Sequence, residues 1–242
     1  MTDLDPRLVA LYDLDNPDGP DHDYFRALAD RLEAHTTVDL GCGTGMLTVT
    51  LARSDRRVVG IDPDREMLRF ARARLGGADV RWVHGDSRAI GAAAADLVVM
   101  SGNVAQAITG DAWTRTLSDV RLALRPGGTL AFESRNPAAR AWAQWTKQET
   151  YGKRQTASGP LVEWMEVLDV SPDGTVTFDA HNVFEDSNEH LVYTDRLAFR
   201  SQCQIEADLQ VAGLEVQAVW GGWLREPVSA DSALLVCEAV RP

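Results

Sequence analysis

The chain has 242 residues, 24 Lys and Arg against 36 Asp and Glu, a formal net charge of −12 and a sequence pI of about 4.8. Nucleic-acid binding draws most of its affinity from neutralised phosphates. No basic stripe appears here, and the densest basic run, Arg65 to Arg74, is interleaved with apolar residues as an exposed helix face would be. This argues against a nucleic-acid partner, while a basic protein partner stays compatible with the charge. No stretch reaches the ~18 apolar residues of a membrane span. The length suits one α/β domain with a modest addition. Cys42, Cys203 and Cys237 have neither framework nor metal-ligand spacing. Met1 to Pro6 lacks the basic and apolar regions of a signal peptide. A reducing cytoplasm is the expected location.

Leu8 to Leu14 is the first apolar element, followed by the loop Asp15-Asn16-Pro17-Asp18-Gly19-Pro20. Asp21 or Asp23 is the expected cap of a helix reaching about Ala34. Val38-Asp39-Leu40 then runs as a buried strand into Gly41-Cys42-Gly43-Thr44-Gly45, and a helical pattern starts at Met46. Such a loop lets a ligand approach the backbone closely, and the helix behind it offers free N–H groups. Two nucleotide-type readings compete at this point. The dinucleotide fingerprint needs a third small residue at position 46, which is Met46, whereas the glycines fall at 41, 43 and 45.

The strand Arg57 to Asp62 closes on an acid 17 residues after Gly45, far enough for an intervening helix of roughly a dozen residues. A carboxylate there can accept hydrogen bonds from both hydroxyls of a ribose. It is also placed to cap the helix starting near Pro63-Asp64, and the two roles are compatible. Val80 to His84 reads as a third strand and ends in Gly85-Asp86-Ser87. Ala95 to Met100 reads as a fourth, delivering Ser101, Gly102 and Asn103 at its carboxyl end, with Gln106 beyond. In open α/β sheets ligands sit at that end, near the switch in strand order. Ser101 to Asn103 are therefore expected to border ligand and substrate. Gly91 to Ala95 reads as a short small-residue loop. Leu124-Arg125-Pro126-Gly127-Gly128 reads as a turn into the strand Thr129 to Glu133.

Taken together, Val38 to Gly45, Asp62, Gly85-Asp86-Ser87, Ala95 to Asn103 and Leu124 to Gly128 resemble the successive motifs of class I S-adenosylmethionine-dependent methyltransferases. The likeness covers residues 38–135 well and the rest loosely. It implies S-adenosyl-L-methionine as cofactor. Its expected contacts are Gly41, Gly43, Asp62, Pro63, Met67, Asp86, Ser87 and Ser101, with Asp39 reaching the amino group directly or through water. Carry-over places Asp86 on the adenine amino group and the Ser87 N–H against a ring nitrogen. Tyr12 and Tyr24 are frequent cofactor covers in this family. No metal is expected.

Beyond the core, Ala138 to Thr146 reads as a helix. Val162 to Val170, Thr175 to Phe184 and His190 to Arg200 alternate as three antiparallel strands. A helix, Gln202 to Ala212, and two strands, Leu214 to Trp220 and Ala233 to Ala239, close the chain. The expected fold is a Rossmann-like seven-stranded, mostly parallel sheet with flanking helices. An antiparallel β meander is inserted before the last helix and strand pair. The expected parts are N-terminal cover helices at 1–35, a cofactor core at 36–136 and 201–242, and a substrate lid at 137–200. Such a lid resembles those of small-molecule methyltransferases, including sugar N-methyltransferases. The expected reaction is direct displacement of the methyl group onto a nitrogen or oxygen of a small molecule. Asn103, Arg135 and His181 are the candidates nearest the chemistry; Glu133, Asn136, Trp142, Trp145, Tyr151, Trp164 and Trp223 are further polar or aromatic groups near the lid. A homodimer is compatible with this reading. The alternatives are a non-catalytic S-adenosylmethionine-binding protein and an NAD-dependent oxidoreductase.

Overall fold

The structure, a computed structural model, describes residues 3–91 and 95–242; most of the loop read at Gly91 to Ala95 lies outside the described residues. Two helices, α1 (Pro6–Asp15) and α2 (Pro20–Arg31), precede the core. The core then alternates β1 (Thr36–Leu40), α3 (Met46–Leu51), β2 (Arg57–Asp62), α4 (Arg65–Ala73), β3 (Val80–His84), β4 (Ala95–Met100), α5 (Val104–Ala107), α6 (Asp111–Ala123) and β5 (Leu124–Arg135). A short α7 (Lys147–Thr150) leads into β6 (Gly152–Thr156), β7 (Gly159–Val170), β8 (Thr175–Phe184) and β9 (Glu189–Ala198). The chain ends with α8 (Gln202–Val211), β10 (Glu215–Trp220) and β11 (Leu234–Val240).

The seven-stranded sheet has the order β10-β11-β5-β4-β1-β2-β3. Strands β1 to β5 run parallel, and β11 is antiparallel to both β5 and β10. The chain goes from β1 outward to β3, then returns to the other side of β1 for β4 and β5. The switch in strand order therefore lies between β1 and β4, and their carboxyl ends place Leu40 and Met100 at the crevice where ligands bind in such sheets. Apolar runs explain why this sheet is covered on both faces. One core cluster gathers Val38, Ile61, Val98, Met100 and Phe132 with α6 and α8, and the other gathers Leu97, Val99 and Ala131 with α2 and α3.

The second sheet is a four-stranded meander in the order β6-β7-β8-β9. One strand more than expected is present, because Gly152 to Thr156 pairs with Gly159 to Glu163. Helix α1 ties this sheet to the core. Leu8 and Leu11 pack with Leu161 and Phe184, and Arg154 pairs with Asp15 at 2.5 Å.

Several local expectations change. Asp21 and Asp23 do not cap α2; Gly19 is its N-cap and both acids sit in the first turn, favourable to the helix dipole. Helix α3 is six residues long, half the expected length. Asp64, not Asp62, caps α4, accepting from the Glu66 and Met67 N–H groups. Ala138 to Thr146 is not a helix but two 3₁₀ turns split by Arg140 at φ +46°. Packing decides this against local propensity: Trp142 lies on Phe199 at 4.4 Å between ring centroids, and Trp145 on Phe178 at 4.8 Å. The expected turn at 124–128 is drawn into the sheet, where Leu124 pairs with Ala95 and the Gly127 N–H donates to Arg241 O.

Candidate functional site

The glycine loop is held from below by β2. The Gly41 and Cys42 N–H groups both donate to Ile61 O, at 2.7 and 3.1 Å. Its three glycines all have positive φ, at +78°, +52° and +76°, but for different reasons. A Cβ on Gly41 would stand 2.4 Å from Val104, and one on Gly45 would stand 2.5 Å from Trp82. At Gly43 the nearest atom is Tyr12 Cε1 at 3.9 Å. Gly41 and Gly45 are thus required by packing, and only Gly43 faces open space that a side chain would fill.

That space is a cavity of about 270 Å³ at the switch point. Its walls come from Tyr12, Asn16 and Pro17, from Asp21 and His22 of α2, and from Gly41 to Thr44 with Met46 and Leu47. The remaining wall is Ser101, Gly102, Asn103, Glu133, Arg135, Trp223 and Leu234. Asp13 locks α1 to the loop: its carboxylate accepts from Thr44 Oγ1 at 2.6 Å and pairs with Arg74. No residue of the meander lines the cavity. Tyr151, Trp164 and His181 are therefore away from it, and Trp142 and Trp145 are packing residues.

The acids of the cofactor motifs behave unequally. Asp39 is 1 % exposed; one oxygen accepts from Thr48 Oγ1 at 2.6 Å, the other has no partner, and burial raises its pKa to about 6. Asp62 is buried at the end of β2. It accepts from the Gly43 N–H and the Asp64 N–H, both at 2.8 Å, and burial raises its pKa. Each oxygen keeps a second lone pair for a ligand. Asp86 is held below the usual carboxylate range by Arg88, which grips both of its oxygens. Ser87 Oγ donates to Asp119 at 2.6 Å. Pro63 O faces His84 Nε2 at 2.9 Å, and the Met67 side chain is buried on α4. Asp62, Pro63, Met67, Asp86 and Ser87 lie outside the cavity wall, whereas Gly41, Gly43 and Ser101 lie in it. Tyr24 is a correction: it is buried against Phe25 and Trp223 and donates its hydroxyl to Glu238 at 2.5 Å, away from the cavity.

Opposite the loop, Asn103 opens α5 with φ +61°. Its N–H donates to Glu133 Oε1 at 2.5 Å, while Glu133 Oε2 has no partner among the described residues. Glu133 is 2 % exposed, and burial pushes its pKa up to about 8. Arg135 donates to Gln106 Oε1 at 3.1 Å, and burial lowers its pKa. His181, expected near the chemistry, instead stacks on Trp164 at 4.5 Å and faces Glu166 and His190. The strand registers put it in the middle of the meander, away from the site. Sequence reasoning did not single out Glu133, Asp21 or His22 as site residues. For Glu133 a signal existed, since an acid inside the run Leu130-Ala131-Phe132 seldom lies buried without a reason. Among the described residues no group of three or more His, Cys, Asp or Glu side chains could hold a metal ion, and no helix is long and apolar enough to cross a membrane.

Comparison with known proteins now bears on this geometry. Residues 37–128 match the methyltransferase domain family. They form a class I S-adenosylmethionine-dependent methyltransferase domain. S-adenosylmethionine is its cofactor, which removes the nicotinamide alternative. The chain is similar to the cypemycin N-terminal methyltransferase of a Streptomyces species, 26 % identical over 83 % of this chain and 81 % of that one. Its fold is similar to that of the CcbJ methyltransferase from Streptomyces caelestis, with a TM-score of 0.80, 22 % identity and coverage of 98 % and 96 %. It is also similar to that of the sugar N-methyltransferase KedS8 from Streptoalloteichus, with a TM-score of 0.74, 15 % identity and coverage of 100 % and 95 %. The domain's glycine loop, the open cradle at Gly43 and the unpartnered oxygen of Asp39 fit a cofactor with a methionine end bearing an ammonium group.

Proposed function

We propose that this methyltransferase acts on a nucleophilic nitrogen or oxygen of a small molecule. The observation that carries the reading is the cavity itself, in which the cradle at Gly43 faces the polar pair Glu133 and Arg135. A donor end and an acceptor end thus share one enclosed space. The acidic chain supports a small acceptor over nucleic acid. The names of the cypemycin and sugar N-methyltransferases favour nitrogen.

In this reading the Gly41 and Gly43 backbone holds the methionine part, Asp39 meets its ammonium group directly or through water, and Ser101 borders it. Asp62 accepts from the ribose hydroxyls, with Pro63 and Met67 beside it. Asp86 and Ser87 take the adenine edge, which requires Asp86 to share itself with Arg88. The bound sulfonium supplies an electrophilic methyl carbon. The protein's part is to hold nucleophile, carbon and sulfur in line. Orientation of that kind contributes on the order of 7–11 kcal/mol in favourable cases. Tyr12 and Trp223 exclude water, Asn103 and Arg135 orient the acceptor, and α1 and α2 cover the site.

The test uses methyl-labelled S-adenosylmethionine with amine- and hydroxyl-bearing small molecules and, in parallel, a basic protein. Label moving to a small molecule supports the reading, and label moving only to protein overturns it. Asp62→Ala is expected to weaken S-adenosylhomocysteine by about 1.5–3 kcal/mol. Unchanged affinity by titration calorimetry would remove the ribose role.

A further inference from the structure

We propose that Glu133 receives the proton of the methyl acceptor, and that the acceptor is an amine which enters as its ammonium ion. This rests on the methyltransferase reading of the cavity and narrows it. Strand β5 lies beside β4 on the side away from β1. The carboxyl end of β5 therefore flanks the donor end of the cleft, where an acceptor must approach. Glu133 lines the cavity there, 2 % exposed. The Asn103 N–H fixes one of its oxygens, leaving the other without a donor. A buried anion without a full set of partners is costly. A glutamine would satisfy the Asn103 N–H equally well, so the free oxygen suits an incoming N–H⁺ group.

The groups around it agree. Asp21 of α2 opposes the carboxylate form and Arg135 of β5 favours it, while burial dominates both. The Tyr12 hydroxyl of α1 and the Cys237 thiol of β11, both pushed up by burial, stay neutral. An alkylammonium ion titrates at about 10 and an α-amino group at about 8, close enough to a carboxyl near 8 for the proton to pass. A hydroxyl, like water at about 15.7, holds its proton too tightly. In the step, a proton leaves the ammonium nitrogen for Glu133 Oε2 and the nitrogen keeps the bonding pair. That pair forms the N–C bond as the C–S bond breaks with its electrons going to sulfur. Glu133 later returns the proton to solvent.

The test uses full-length protein loaded with S-adenosylhomocysteine and carrying ¹³C-carboxyl glutamate. One resonance, absent from both Glu133→Gln and Glu133→Asp, is expected to titrate well above the usual carboxylate range. Methylammonium chloride is expected to lower that midpoint by about one pH unit or more. Methanol, or potassium chloride at equal ionic strength, is expected to leave it in place. No movement with methylammonium, or equal movement with methanol, overturns the proposal. Failure of S-adenosylhomocysteine to bind the wild-type protein would instead strike the methyltransferase reading.

Discussion

Gly41, Gly43 and Gly45 look equivalent in sequence, but their surroundings assign them different duties. Gly41→Ala drives a methyl group into Val104, 2.4 Å from the new Cβ. Overpacking of this kind costs about 1–3 kcal/mol, so its main effect is expected on stability. Gly43→Ala meets no protein atom closer than 3.9 Å. It pays only the left-handed backbone penalty of about 1–2 kcal/mol, but its methyl group fills the cradle. Gly43→Ala is therefore expected to melt close to wild type while losing at least about tenfold in S-adenosylhomocysteine affinity. Melting curves and calorimetry on the two variants separate the roles, and a Gly43→Ala protein with wild-type affinity would show that the cradle is not the contact.

At the scale of elements, the cover of the site is α1 and α2, and the meander supports α1 from behind. Leu8 and Leu11 of α1 meet Leu161 and Phe184 in a small cluster of their own. Leu11→Ala is expected to cost about 2 kcal/mol, the low end for a buried leucine. Tyr12 is the next residue on the helix, so cofactor affinity should fall too, although Leu11 touches no cavity. Unaltered affinity at a temperature where both proteins are folded would mean that α1 is held by Asp13 alone. This arrangement also explains what could be read in advance. Runs such as Val58-Val59 and Leu97-Val98-Val99 announce strands buried on both faces, and acids closing those strands mark the ligand edge. Those signals are local. The helix expected at Ala138 to Thr146 failed because Trp142 and Trp145 answer to Phe199 and Phe178, more than 30 residues away. His181 and the lid suffered likewise: alternation identifies a strand but not the face or cavity it reaches. Glu133 was visible only as an acid near a strand end, and its importance arises from Asn103, which turns its N–H onto one oxygen and leaves the other free.

For the whole molecule, the carboxylates fall into two groups with opposite consequences for stability. Asp5, Asp18, Asp30, Asp86, Asp96 and Asp173 are all held low in the fold, the first five beside arginines and Asp173 by the Thr175 N–H. A depressed pKa gives stability that is present above the unfolded value of about 3.9 and is lost as pH falls. Asp39 and Glu133 are raised by burial, to about 6 and about 8. In these two the folded state holds more protons than the unfolded one, so stability is full below about 4 and drains away as pH rises through the folded values. The two trends meet in mildly acidic solution, and the midpoint of thermal unfolding is expected to peak there, at about pH 4.5–6, below the neutral range common for proteins. The decline from about pH 6 to 8 belongs mainly to Glu133. Glu133→Gln keeps an acceptor for the Asn103 N–H but cannot ionise, so its melting temperature should exceed that of wild type at pH 8.5 and match it more closely at pH 5. Circular-dichroism melts at both pH values check this, and parallel pH profiles for the two proteins would mean that Glu133 titrates in the fold as it does in the unfolded chain.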